Sequence, residues 1–252
     1  MKLFLSITAL RISWLLSLPI LVLIFPQALY IKKITMRLSE AAGPKNGLLS
    51  GQEPNLRLLH VGESTVAGVG VENIETGLTV NVAKELNAKS KREIEWQIHG
   101  VNGIKLSELL NSLKNNPPKD CDIALITMGV NDTTKLTSLG KWKSQINQTI
   151  KLLKPLTQGA IIFTQVPPMI QFPALPAPLK YFLGLRSTLL DLALKQACQK
   201  HSQVYYVSSK PKVEPDFMAE DGYHPSAQGY SEWAKSISPK ILESYQQEKS
   251  GN

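Results

Sequence analysis

Short, continuous apolar runs alternate along this chain with longer stretches in which apolar residues recur at helical spacing. The runs Leu56–Val61, Ile94–Ile98, Ile123–Met128, Ala160–Gln165 and Val204–Val207 have the length and flanking punctuation of buried strands. The stretches Gly77–Ala88, Lys105–Lys114, Leu139–Leu153, Tyr181–Lys200 and Ala227–Gln247 predict helices. Pro117-Pro118 stops the second helix before the third strand, Pro225-Ser226 is a start signal for the last, and Pro239 predicts a bend in it. Regular βα alternation with strands apolar on both sides predicts a parallel sheet covered by helices on both faces. The fold class is therefore α/β, with no visible repeat and no room for a second soluble domain.

Ahead of this pattern lies a different one. From Ile12 to Ile31 there is no charged residue, a length that suits a helix crossing a bilayer. Pro19 and Pro26 would kink it, which lipid-embedded helices tolerate, and Trp14 and Tyr30 lie near its ends, where amphipathic rings prefer the interface. No small-x-small cleavage site stands out between Gln27 and Tyr30, so an uncleaved anchor is expected over a signal peptide. Residues 1–38 thus read as the anchor. Residues 39–54, with Gly43-Pro44, Asn46-Gly47 and Ser50-Gly51, read as a linker, and 55–248 as the α/β domain.

Charge changes the picture only at that end. The net charge is +8, but Lys2, Arg11, Lys32, Lys33, Arg37 and Lys45 precede position 51 and are opposed there only by Glu40. Basicity gathered around an apolar segment speaks for lipid headgroups rather than nucleic acid, and no nucleic-acid partner is expected. More basic residues follow the span than precede it, which favours a cytoplasmic over a periplasmic domain. Cys121 opens a strand-like run and Cys198 lies in a helix-like one; both read as buried thiols, and no metal-ligand spacing occurs.

Chemistry is carried by two short motifs far apart in the chain. In Asp221-Gly222-Tyr223-His224 a carboxylate three residues before a histidine can orient the imidazole. In Gly62-Glu63-Ser64 a serine follows a predicted strand, at the edge where open α/β sheets place reactive groups. A serine hydroxyl is a poor nucleophile until a base takes its proton, and His224 is the base with a carboxylate at hand. Ser64, Asp221 and His224 are the candidate catalytic residues.

Four blocks in this order resemble the SGNH (GDSL-type) hydrolase superfamily: Gly62-Glu63-Ser64, Gly103 in Val101-Asn102-Gly103-Ile104, Gly129-Val130-Asn131-Asp132, and Asp221-Gly222-Tyr223-His224. The resemblance runs from Leu56 to the last helix and leaves the anchor out. It implies a three-layer α/β/α, flavodoxin-like domain and ester hydrolysis through an acyl-enzyme on Ser64, with no metal and no organic cofactor. The developing oxyanion needs fixed donors, and the Ser64 amide, the Gly103 amide and the Asn131 side-chain NH2 would supply them. Glu63 departs from the aspartate usual in the first block, which puts the positioning behind the nucleophile in question. Gly62-Glu63-Ser64-Thr65-Val66 is also not the Gly-x-Ser-x-Gly elbow of α/β-hydrolases.

The remaining motifs read as structure. His60 and His99 sit in apolar strand runs as packed core histidines, His201 on the surface, and Gly68-Val69-Gly70 lacks the third glycine of a dinucleotide fingerprint. The proline-rich apolar loop Val166–Leu179 leaves the sheet edge that should carry the site. Met169, Ile170 and Phe172 in it are the candidate substrate-binding residues, as an acyl-chain wall or lid. The expected function is a membrane-anchored serine esterase acting on small-molecule or lipid esters. The alternatives are an O-deacetylase of cell-envelope carbohydrate and a membrane-tethered binding module without turnover.

Overall fold

A computed structural model describes residues 2–209 and 214–250, with side chains from residue 7 onward. Two helices, α1 (Lys2–Ser17) and α2 (Leu21–Ile34), come first, joined by a 3-10 turn at Leu18–Ile20 where Pro19 interrupts the backbone ladder. Then follow β1 (Asn46–Leu49), β2 (Glu53–Gly62), α3 (Leu78–Ser90), β3 (Arg92–Gly100), α4 (Leu106–Asn115) and β4 (Cys121–Thr127). The second half contains α5 (Val130–Thr134), α6 (Leu139–Leu153), β5 (Thr157–Thr164), α7 (Leu179–Cys198), β6 (Val204–Val207) and α8 (Ala227–Ser250).

The sheet order is β1-β3-β2-β4-β5-β6, all parallel except β1, which runs antiparallel to β3. Without β1 this is the flavodoxin-like doubly wound order, whose direction of winding reverses between β2 and β4. The crevice outside the C-terminal ends of those two strands is where such sheets bind ligands. Both strands end there in the sequences of interest, Gly62-Glu63-Ser64 and Gly129-Val130-Asn131.

Period-two alternation divides the core. Leu59, Val61, Ala124, Ile126, Ile161 and Phe163 face the layer of α4, α6 and α7, and Leu56, Leu58, Ile123, Leu125, Ala160 and Ile162 face α3 and α8. These side chains are almost fully buried, so a register slip of one residue would exchange the two layers.

Two features differ from the sequence reading. The segment 39–54, expected as a linker, is stitched to the domain. Asn46–Leu49 forms the edge strand, Ala41 donates to the Ala67 carbonyl at 3.1 Å, and Glu40 Oε1 accepts from the Asn102 amide at 2.7 Å. The N-terminal helices are likewise part of the fold. Ile7, Trp14 and Ile24 are buried in the α4–α6–α7 core cluster, with Leu10, Leu18, Leu21, Ala28 and Ile31 packed beside them. The spacing of three and four residues among these positions defines one helical face. Trp14 is the principal contact: its ring lies 4.5 Å from that of Phe182 and carries the guanidinium of buried Arg186 at 4.8 Å. The opposite face, with Leu16, Val22 and Leu23, is more than 70% exposed. Residues Ile7–Ile34 are long and apolar enough to cross a membrane.

Candidate active site

Ser64 lies just beyond β2 in a tight turn, with Val66 and Ala67 amides donating to the Glu63 carbonyl and the Val69 amide to the Ser64 carbonyl. His224 approaches from the loop before α8, which the Ala219 amide closes onto the His224 carbonyl at 2.7 Å. Ser64 Oγ is 2.9 Å from His224 Nε2, and His224 Nδ1 is 2.6 Å from Asp221 Oδ2. A carboxylate only accepts, so Nδ1 carries the proton, and Nε2 presents the lone pair that takes the hydrogen from the serine hydroxyl. Asp221 Oδ1 also accepts from the Tyr223 and His224 amides at 2.9 and 3.0 Å. Burial opposes ionisation of Asp221, but the His224 ring and these amides outweigh it and hold the carboxyl below its ordinary range. Three groups separated by up to 160 positions thus form one hydrogen-bonded chain.

Glu63 turns from an anomaly into a bracket. Its buried carboxylate accepts from the Val130 amide at 2.8 Å, the Asn131 amide at 3.0 Å and Asn131 Nδ2 at 2.7 Å. Gly129 makes this possible: its φ of +130° turns the chain off β4 so that the first amides of α5 face β2. Asp132 continues the brace, accepting from the Leu106 amide at 2.9 Å and the Thr137 hydroxyl at 2.6 Å. Two buried acidic side chains therefore tie the end of β2, the Asn131 turn and the start of α4 after Gly103 into one unit.

Burial pushes the Glu63 carboxyl up to about 7 from 4.5, against the pull of its three N–H donors and with the help of nearby Asp132. A carboxyl raised on folding keeps its proton in the native state at pH values where the unfolded chain has lost it. Its contribution to stability is greatest below 4.5 and declines as pH rises to about 7. Between pH 5 and pH 8 the wild-type chain should lose roughly 2–3 kcal/mol more unfolding free energy than Glu63→Gln, as measured by urea denaturation. Parallel pH profiles for the two chains would contradict this.

The cavity in front of Ser64 and His224 has a volume of about 690 Å³. Asn131 lines it, its amide plane fixed by Glu63; the second amide hydrogen is not used by that bond. Gly103 has φ +73° and open space where a Cβ would stand, and its carbonyl accepts from Lys135 Nζ at 2.7 Å. Of the three loop residues expected at the substrate, Phe172 lines the cavity and meets the Tyr223 ring edge-on at 6.1 Å. Met169 and Ile170 do not. Met169 points into the core, its amide 3.3 Å from Ser187 Oγ, and Ile170 is 45% exposed with its Cβ against Gly184 of α7. The 3-10 turn Met169–Gln171 separates these directions. Leu175 of the same loop takes a lining place that the sequence reading left unassigned.

His60 is a core histidine as expected, bonded through Nδ1 to Thr79 Oγ1 at 2.8 Å and through Nε2 to Thr127 Oγ1 at 2.9 Å; burial lowers its pKa to about 3. His99 is only half-buried. Cys121 and Cys198 are buried free thiols, each raised by burial.

Comparisons with known proteins bear on the family and the fold. The model of the GDSL-like lipase/acylhydrolase family matches residues 60–231. A GDSL-like esterase of Mycobacterium tuberculosis is 25% identical over 188 residues, 70% of this chain and 59% of that protein, so the chain spans well under two thirds of that relative. Among solved structures, a lipase/acylhydrolase from Enterococcus faecalis superposes with a TM-score of 0.57 at 19% identity, over 75% of this chain and 96% of the other. An acetyl xylan esterase from Geobacillus stearothermophilus gives 0.54 at 18%, over 74% and 94%. At those identities the two structures speak for the fold, while the family match spans all four blocks from Gly62 to His224, and the chain belongs to the GDSL-like lipase/acylhydrolase family.

Proposed function

We propose that this chain is a serine hydrolase that cleaves carboxylic esters of acyl or lipid-like substrates through an acyl-enzyme on Ser64. The observation that carries the reading is the unbroken chain of hydrogen bonds from Ser64 Oγ through the His224 ring to Asp221. His224 Nε2 takes the hydroxyl proton as Oγ attacks the ester carbonyl carbon, and the carbonyl electron pair moves onto oxygen. The oxyanion accepts from the Ser64 and Gly103 amides and from the second N–H of Asn131 Nδ2. When the tetrahedral centre collapses, the alcohol leaves with the proton from the imidazolium, which Asp221 has stabilised meanwhile. A water deprotonated by His224 then attacks the acyl carbonyl, and Ser64 departs with that proton.

A fluorophosphonate probe should modify Ser64 stoichiometrically, located by peptide mass spectrometry, in protein that hydrolyses p-nitrophenyl acetate. A chain with neither modification nor turnover would leave the binding-module alternative standing. Asn131→Ala removes one oxyanion donor and should lower kcat by about 10²- to 10³-fold with little change in KM. A rise in KM at constant kcat would assign Asn131 to ground-state binding instead. A carbohydrate deacetylase reading is favoured only by the fold shared with the acetyl xylan esterase. Against it, Leu21, Ile24, Phe25, Phe172, Leu175 and Leu183 make much of the cavity lining apolar, with Thr35, Asn102, Thr134 and Lys135 as polar neighbours.

We also propose that the N-terminal helices attach the protein to a membrane. Their apolar outer face is exposed, and Arg11, Lys32, Lys33 and Arg37 fringe it with positive charge suited to anionic headgroups. Because packing against the domain extends from Ile7 to Ile31, attachment along the membrane surface is favoured over a free-standing span. The exposed basic residues suit the anionic lipids of the cytoplasmic leaflet, which supports that side.

A further inference from the structure

The catalytic cavity has a wall that does not come from the α/β domain. Leu21, Ile24, Phe25, Ala28 and Ile31 of α2 line the same cavity as Ser64, Asn131 and His224. Phe172, Leu175, Leu179, Phe182 and Leu183, from the loop after β5 and from α7, line it as well. Together they give the cavity beside Ser64 a largely aliphatic and aromatic lining.

Specific bonds hold α2 in that place. Gln27 reaches across to the proline-rich loop, its Nε2 donating to the Ala177 carbonyl at 2.9 Å and its Oε1 accepting from the Leu179 amide at 3.2 Å. Thr35 and Tyr223, the residue before His224, line the same cavity. Asn102 Nδ2 donates to the Leu38 carbonyl at 3.4 Å where the chain leaves the helix. Such polar clasps give α2 one register against the site, which apolar packing alone would not specify.

Resting on the ester-hydrolase reading, we infer that α2 is the acyl-chain wall of the catalytic cavity, and that the substrates are esters of long unbranched acyl chains. The scissile carbonyl sits at Ser64, and the chain extends between α2 and the Phe172–Leu183 side. Each methylene buried in the cavity should raise kcat/KM by about threefold to fourfold until the cavity is full. Part of the specificity for chain length thus resides in a segment outside the residues matched by the family, 60–231.

The test uses the full chain and p-nitrophenyl acetate, butyrate, octanoate and laurate. Wild-type kcat/KM should climb from acetate to laurate. Ala28→Leu narrows the cavity and should reduce the laurate-to-acetate ratio by about tenfold, the equivalent of two buried methylenes; Ala28→Trp should reduce it further. If Ala28→Trp fails to fold, Ala28→Leu decides. Fluorophosphonate labelling of Ser64 reports separately on the nucleophile. Labelled variants whose ratio equals that of wild type, or a wild type with no preference for longer chains, would overturn the wall while leaving the hydrolase reading intact. Absence of labelling and turnover in the wild type would overturn both.

Discussion

Ser64→Ala is expected to lower kcat for an aryl ester by about 10⁴- to 10⁶-fold while the chain stays folded. The substitution deletes a single hydroxyl whose bond is to His224 Nε2, at a position 7% exposed, and so removes chemistry and almost no packing. What survives should be the rate from the oxyanion donors and substrate binding alone. Because the nucleophile and its base act as a unit, Ser64→Ala/His224→Ala should be scarcely slower than either single variant. Steady-state kinetics with circular dichroism as the check on folding measure this. A loss of less than about tenfold would mean that another group forms the acyl-enzyme.

Asp221→Asn should cost about 10⁴-fold in kcat, more than its distance from the ester suggests. An asparagine Oδ1 still accepts from the Tyr223 and His224 amides, so the loop keeps its shape. Its NH2, however, meets His224 Nδ1 where an acceptor is needed. The ring then shifts its proton to Nε2, and a protonated Nε2 cannot deprotonate Ser64. The wild-type carboxyl titrates below 3.8, so its ionised form stabilises the fold above that value and the benefit disappears as pH falls through the lowered pKa. The neutral asparagine should therefore show a smaller acid destabilisation below pH 4. Full activity in Asp221→Asn would remove the carboxylate from the relay.

Much of this was legible in the chain because separate physical signals coincided. Parallel strands buried on both faces must be apolar throughout, and their helices must be apolar at helical spacing, so the alternation exposed the doubly wound sheet directly. The Ser64–His224–Asp221 hydrogen-bonded chain was legible because the Asp221–His224 relation is local and the strand end before Ser64 is marked by glycine. The edge strand Asn46–Leu49 was not, since its Asn-Gly start reads as a turn and its side chains are exposed or half-buried. Glu63 stood out only as a departure: its partners lie 67 and 68 positions away and no local rule pairs them. In the loop after β5, apolar composition promised contact without saying with what. Phe172 met the cavity, whereas a single 3-10 turn sent Met169 to the core and Ile170 outward.

The N-terminal helices hid their role for a related reason. The register Ile7, Leu10, Trp14, Leu18, Leu21, Ile24, Ala28 and Ile31 defines a docking face, but a segment apolar on every side offers no polar contrast to reveal it. The stretch that looks most interchangeable is thereby among the least so. A foreign anchor of equal length and greasiness, grafted in front of residue 39, would hold the domain at a bilayer. It would also leave the Arg186 guanidinium with no indole to lie on and the hollow beside Ser64 stripped of part of its lining.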